Sequence, residues 1–176
     1  MNDNDKAFEP TFCENYPKHI IAIRWLILLI AFALGIYVLL DLHYMLAIVY
    51  ILYSLTAVTL ILPLSRCVSC FYHGRLCNTG WGRVAFYLFK KGDESKYVEH
   101  YNYAIFLHLL WLFPLLVALL QLVRKRNILA LSIWVIYLFI LFVEKIVLKK
   151  SCCKRCHQRE FCPALPFRKE TVKIQS

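Results

Sequence analysis

Four long runs of apolar residues, separated by polar segments, dominate the hydrophobic pattern of this chain of 176 residues. The runs cover residues 20–40, 44–64, 103–123 and 128–148. Each matches the ~20 residues that an α-helix needs to cross a bilayer. The pattern therefore predicts an all-α polytopic membrane protein with four transmembrane helices.

The lengths of the polar segments predict how these helices are paired. Only Asp41-Leu42-His43 separates the first two runs, and only Arg124-Lys125-Arg126-Asn127 separates the last two. Connections this short place consecutive helices side by side and antiparallel, so we expect two hairpins. The predicted parts of the chain are a tail (1–19), a first hairpin (20–64), a cysteine-rich loop (65–102), a second hairpin (103–148) and a cysteine-rich basic tail (149–176).

The long loop between the hairpins contains a stretch, residues 81–89, with helical spacing of its apolar residues. It is too short to span a bilayer and is flanked by basic residues, a combination typical of a helix that lies in the headgroup plane. The predicted apolar face consists of Trp81, Val84, Ala85, Leu88 and Phe89.

The charge distribution predicts the orientation. Of the 21 lysines and arginines, 18 lie on the side that holds both termini and the long loop, and only Arg124, Lys125 and Arg126 lie on the other. The positive-inside rule then places both termini in the cytoplasm of a prokaryotic inner membrane or an equivalent membrane. The net charge of +10 is accordingly interpreted as contact with anionic headgroups. The bilayer is the expected partner, and nucleic acid is not.

Two cysteine motifs follow the two hairpins, and both are predicted to face the cytoplasm. Because the cytoplasm keeps thiols reduced, paired cysteines at this spacing indicate metal binding rather than disulfides. A Cys-x2-Cys turn lets two thiolates converge on one ion. The candidate metal ligands are Cys67, Cys70, His73 and Cys77 in the first motif and Cys153, Cys156, His157 and Cys162 in the second.

The two motifs also indicate an internal repeat. Cys70 and Cys156 differ by 86 in residue number (156 minus 70), and the same offset aligns Cys67 with Cys153. Each half would cross the membrane twice and keep the same orientation. Such a parallel repeat has its pseudo-twofold axis along the membrane normal, which would bring the two motifs together at one end of the bundle.

Three metal arrangements fit these residues. The leading one is a single structural zinc ion held by Cys67, Cys70, Cys153 and Cys156. In the second, each motif holds its own zinc ion with three cysteines and its histidine. In the third, the six cysteines hold one or two iron–sulfur clusters. Cys162-Pro163 resembles the Cys-Pro ending of bacterial ferredoxin motifs, although the cysteine gaps here differ.

The ionisable residues inside the apolar runs include Arg24, His108 and Glu144, which lie close to the predicted cytoplasmic interface. Such residues are candidates for function or for pairing with one another. Arg24 or His108 is near enough in predicted depth to pair with Glu144. The preferred interpretation is that Arg24 and Glu144 extend to the headgroups instead.

The leading functional hypothesis is an integral membrane metal-binding protein. Its cytoplasmic cysteine-rich cap would hold structural zinc, and the chain would act as an accessory or anchoring subunit for a soluble or membrane protein partner. One alternative is an iron–sulfur subunit that transfers electrons. Another is a membrane enzyme that uses a reactive thiol with His73, or acts on lipid. No sequence motif assigns catalytic residues.

Overall fold

The computed structural model describes residues 13–159 and 162–163, without the side chain of Lys154. All regular structure in these ranges is helical. Four helical spans are long and apolar enough to cross a membrane: Lys18–Leu42, Tyr44–Cys67, Glu94–Lys125 and Ile128–Cys152. The prediction of an all-helical chain with four candidate membrane spans is confirmed. More than half of the residues in the two predicted tails, 1–19 and 149–176, lie outside the described residues.

The individual α-helices are α1 (Lys18–Leu42), α2 (Tyr44–Thr56), α3 (Trp81–Leu88), α4 (Tyr97–Tyr101), α5 (Ile105–Lys125) and α6 (Ile128–Val147). Two π-helical stretches, Ala57–Ile61 and Pro63–Cys67, extend α2 to the first cysteine motif. A third, Leu148–Cys152, extends α6 to the second. The third span begins earlier than predicted, because a 3₁₀ turn at Glu94–Lys96 leads into α4 and a second one at Asn102–Ala104 joins α4 to α5.

The four long helices pack with α1 at the centre, in contact with α2, α5 and α6. The core between them includes Val38, Leu39, Tyr50 and Leu110. Large apolar side chains remain exposed along the outside of all four spans, such as Leu120 on α5 at 65%. An exposed apolar surface this extensive would be unfavourable in water, and it is the surface that acyl chains would cover in a bilayer.

A close junction of α1, α2 and α5 surrounds Pro114, which lies inside α5. Proline has no N–H group, so the carbonyl of Leu110 loses its helical partner. The hydroxyl of Tyr50 on α2 donates to that carbonyl at 3.1 Å. Gly35 on α1 permits the approach, since a Cβ there would lie 3.2 Å from Pro114 Cγ. A side chain from a neighbouring helix therefore supplies the hydrogen bond that the proline removes from α5.

We expect Tyr50→Phe to lower the free energy of unfolding by about 1–3 kcal/mol, because it leaves the buried Leu110 carbonyl unpaired. The measurement is reversible unfolding in mixed micelles with SDS. Tyr44→Phe is the matched control, since Tyr44 is 57% exposed. Equal stability of the two variants would show that the Tyr50 hydroxyl contributes nothing to the junction.

The short helix α3 forms within the predicted stretch, and its small residues face the protein. Gly82 and Ala85 are buried, whereas Val84 and Leu88 of the predicted apolar face are exposed, as are Phe86 and Tyr87. Small residues let α3 lie close to the first cysteine loop. Its large apolar side chains are consequently directed away from the bundle.

Candidate functional site

The six cysteines of the two motifs line one cavity of about 600 Å³. The cavity lies where the ends of α2 and α6 meet the start of α5 and the two loops. Residues more than 80 positions apart in the chain are thus brought to a single site. Its cysteine lining comprises Cys67, Cys70, Cys77, Cys153, Cys156 and Cys162.

Backbone hydrogen bonds fold the first loop back on itself. The N–H of Gly74, which has φ 81°, donates to the carbonyl of Gly82 at 2.9 Å. The N–H of Gly82 in turn donates to Cys77 Sγ at 3.2 Å. A Cβ on Gly82 would lie 2.2 Å from the carbonyl oxygen of Tyr72, a distance that excludes any side chain. Glycine at position 82 is therefore what allows Cys77 to return to the cavity.

Polar groups surround the Cys77 sulfur. The Cys67 thiol interacts with it, the Thr79 hydroxyl lies 3.2 Å away, and the Gly82 N–H points at it. These contacts lower the pKa of Cys77 to about 5 although the residue is buried. Cys77 is consequently prepared to act as a thiolate, the form that binds metals and acts as a nucleophile.

Three cysteines that line the cavity outside the spans, Cys70, Cys153 and Cys156, have the opposite tendency. Burial raises the pKa of Cys70 to about 12, and that of Cys153 and Cys156 to about 11. Cys70 interacts electrostatically with Cys156, and Cys162 interacts with both Cys153 and Cys156. These pairwise interactions link thiols of both loops. A metal cation would supply the positive charge that their thiolate forms lack.

The cavity is electropositive. Two arginines and two lysines line it: Arg66, Arg159, Lys145 and Lys149. None of the described lining residues is an aspartate or a glutamate. A metal centre held only by thiolates has a net negative charge, which such a lining stabilises.

A segment before α1 ties the two loops together, and sequence analysis missed it. The N–H of Tyr16 donates to Leu76 in the first loop at 2.9 Å, and its hydroxyl donates to Cys152 beside the second at 2.7 Å. The hydroxyl of Tyr72 donates to the carbonyl of Cys13 at 2.7 Å and accepts from the N–H of His157 at 3.1 Å. Both tyrosines are buried. No periodic pattern marks residues 13–17, so only the fold could reveal this contact.

Arg24 and Glu144 form a buried ion pair beneath the first loop, with 2.8 Å between Arg24 Nη2 and Glu144 Oε1. Arg24 also donates to the carbonyl of Asn78 at 3.1 Å, and Trp25 donates to that of Thr79 at 2.8 Å. The preferred expectation that Arg24 and Glu144 extend to the headgroups is wrong. Arg24 is only 5% exposed, because its partners lie inside the protein.

Neither predicted histidine ligand lines the cavity. His73 Nε2 lies 3.1 Å from the carbonyl oxygen of Phe89, in a groove beside α3. The ring of His157 stacks on Phe71, with 3.8 Å between ring centroids. The predicted ligands that the structure brings together are therefore the six cysteines. Within the described ranges, no three cysteine, histidine, aspartate or glutamate side chains are close enough together to hold one ion.

The site thus combines cysteine sulfurs from two loops with basic residues and tyrosines from the surrounding helices. Comparison with protein-family models, with curated proteins and with solved structures finds no match to this chain.

Proposed function

We propose that this chain is an integral membrane protein whose two cysteine loops together bind one metal–sulfur centre. The observation that supports the proposal is the convergence of all six motif cysteines on a single cavity. The two loops follow different hairpins, and a shared binding role explains why every motif cysteine lines the same cavity.

The donor atoms restrict the class of metal. Thiolates favour zinc, copper(I) and iron–sulfur clusters, whereas calcium and magnesium require oxygen ligands. No carboxylate is found among the described lining residues, and the basic lining compensates the charge of a thiolate-bound centre. The residues present therefore fit zinc or an iron–sulfur cluster.

The distribution of the thiols favours the cluster. The cysteines are spread around the wall of a cavity of about 600 Å³, which is more space than one ion needs. The ligands of a polynuclear cluster are separated by the cluster itself, so they need not meet at one point. When bound, an iron–sulfur cluster supplies one-electron redox chemistry. The basic residues and the buried tyrosines of this chain would set the charge and polarity around it.

Structural zinc is the second candidate, because the two Cys-x2-Cys pairs are the usual ligands of a closed tetrahedral site. Cys67, Cys70, Cys153 and Cys156 would then join the two halves of the chain, and the chain would anchor a protein partner. This arrangement requires the four sulfurs to move closer together than they are here.

The contacts between the loops support a duplicated unit of hairpin and cysteine motif. Phe71 and His157, which stack on each other, are related by the same offset of 86 as Cys70 and Cys156. Equivalent residues meet in this way where they lie beside a twofold axis. Both motifs also follow a π-helical stretch. We place this axis along the membrane normal and, from the charge distribution, the loops in the cytoplasm.

Elemental analysis and an absorption spectrum of the anaerobically purified protein in detergent test the proposal. Iron with acid-labile sulfide and visible absorption would support the cluster. Stoichiometric zinc in a colourless protein would support the second candidate. Protein that binds neither metal, and takes up neither in reconstitution, would contradict the proposed function.

Cys70→Ser and Cys156→Ser are each expected to lower metal affinity by more than about tenfold, since even residues that only support metal ligands contribute 10–100-fold. The measurement is metal per chain after gel filtration. Cys13→Ser is the matched control, because Cys13 does not line the cavity. Equal metal content in all three variants would show that the cavity is not the binding site.

A further inference from the structure

We propose that the membrane-facing mouth of the cysteine cavity binds the phosphate of an anionic phospholipid. We define the mouth by six of the lining residues that belong to the spans: Leu62, Arg66, His108, Lys145, Leu148 and Lys149. This proposal does not depend on a metal in the cavity.

Three spans contribute basic groups to the mouth. Arg66 comes from the π-helical extension of α2, His108 from α5, and Lys145 and Lys149 from α6 and its extension. All four residues line the same cavity. The basic groups therefore converge on one place rather than being scattered over the surface.

These groups have no acidic partners in the described part of the chain. The ion pairs there join other residues, such as Arg24 to Glu144 and Lys125 to Asp41. Arg66 Nε is buried without a hydrogen-bond partner. Convergent like charges repel one another, and an anion at the mouth would both relieve this repulsion and accept the unpaired N–H.

The position of the mouth indicates that this anion belongs to a lipid. His108 and Lys145 lie inside apolar spans, next in sequence to Leu109 and Ile146, which are 45% and 37% exposed. Leu62 and Leu148 line the mouth itself. A ligand with an anionic head and acyl chains complements both features. A lipid headgroup bound here would also close the membrane side of the cavity.

The test is native mass spectrometry of the protein with equal amounts of phosphatidylglycerol and phosphatidylcholine. We expect retained phosphatidylglycerol to exceed phosphatidylcholine by about tenfold, since each basic residue near the surface adds to the attraction for anionic lipid. The double variant Lys145→Gln/Lys149→Gln should lose this preference. His108→Gln, which keeps the size of the side chain, should weaken it.

Lys90→Gln/Lys91→Gln is the matched control, because it removes the same charge from the end of the α3 region, outside the cavity. It should keep the preference of the wild-type protein. Equal losses in the two double variants would overturn the proposal in favour of a general surface charge. Displacement of the lipid by millimolar inorganic phosphate would overturn it in favour of a soluble anion, and the absence of any preference would overturn it outright.

Discussion

Replacement of Glu144 by leucine is expected to lower the free energy of unfolding by about 3–5 kcal/mol, because it leaves the buried Arg24 guanidinium without its counter-charge. The side chains of Arg24 and Glu144 are only 6% and 15% exposed. Water can therefore replace the lost carboxylate only poorly. The measurement is reversible unfolding in mixed micelles, followed by tryptophan fluorescence.

A double-mutant cycle separates the ion pair from other effects of the substitution. Arg24→Leu/Glu144→Leu removes both charges and should be more stable than Glu144→Leu alone, since two apolar residues can replace a buried pair at little cost. Glu99→Gln, at an exposed carboxylate, should be close to wild type. A double variant as unstable as the sum of the single ones would show that the two residues act independently.

The pair also has a consequence for the site. Arg24 and the neighbouring Trp25 hold the carbonyls of Asn78 and Thr79, directly after Cys77. Loss of Glu144 should therefore loosen the first loop as well as destabilise the bundle. Faster alkylation of Cys77 by a maleimide would report that change.

Gly82→Ala is expected to disrupt the first cysteine loop and to cost on the order of 3 kcal/mol, the upper end of the range for overpacked sites. The added methyl group would lie 2.2 Å from the carbonyl oxygen of Tyr72 and 2.6 Å from that of Arg75. Both atoms belong to the backbone, so the clash can be relieved only by moving the loop. Cys77 would then lose its contact with the Gly82 N–H.

Thermal unfolding and metal content measure this effect. Gly92→Ala is the matched control: its methyl group would meet Val68 Cγ1 at 2.9 Å and Ser69 Oγ at 3.0 Å, side-chain atoms that can shift. We expect a smaller loss of stability and retained metal for Gly92→Ala. A Gly82→Ala protein with the stability and metal content of the wild type would contradict the described loop.

Several features of the site were predictable from short-range patterns. The Cys-x2-Cys spacing and the third cysteine of each motif are visible in the sequence, and the repeat offset predicted that the motifs would meet. The two histidines remain predicted ligands. Neither lines the cavity, since His73 Nε2 lies 3.1 Å from the carbonyl oxygen of Phe89 and the His157 ring stacks on Phe71. Ring direction depends on the loop backbone, which spacing alone does not specify.

The sequence by itself determined the four spans, because the apolar length that crosses a bilayer is a local property of the chain. It likewise determined where the cysteines that line the cavity lie in the chain. Only the tertiary structure decided that Arg24 pairs with Glu144, 120 positions away, and that Tyr16 joins the two loops. These contacts depend on the rotation of each helix about its axis and on the path of the loops. Both result from packing between distant segments, and no local pattern encodes that packing.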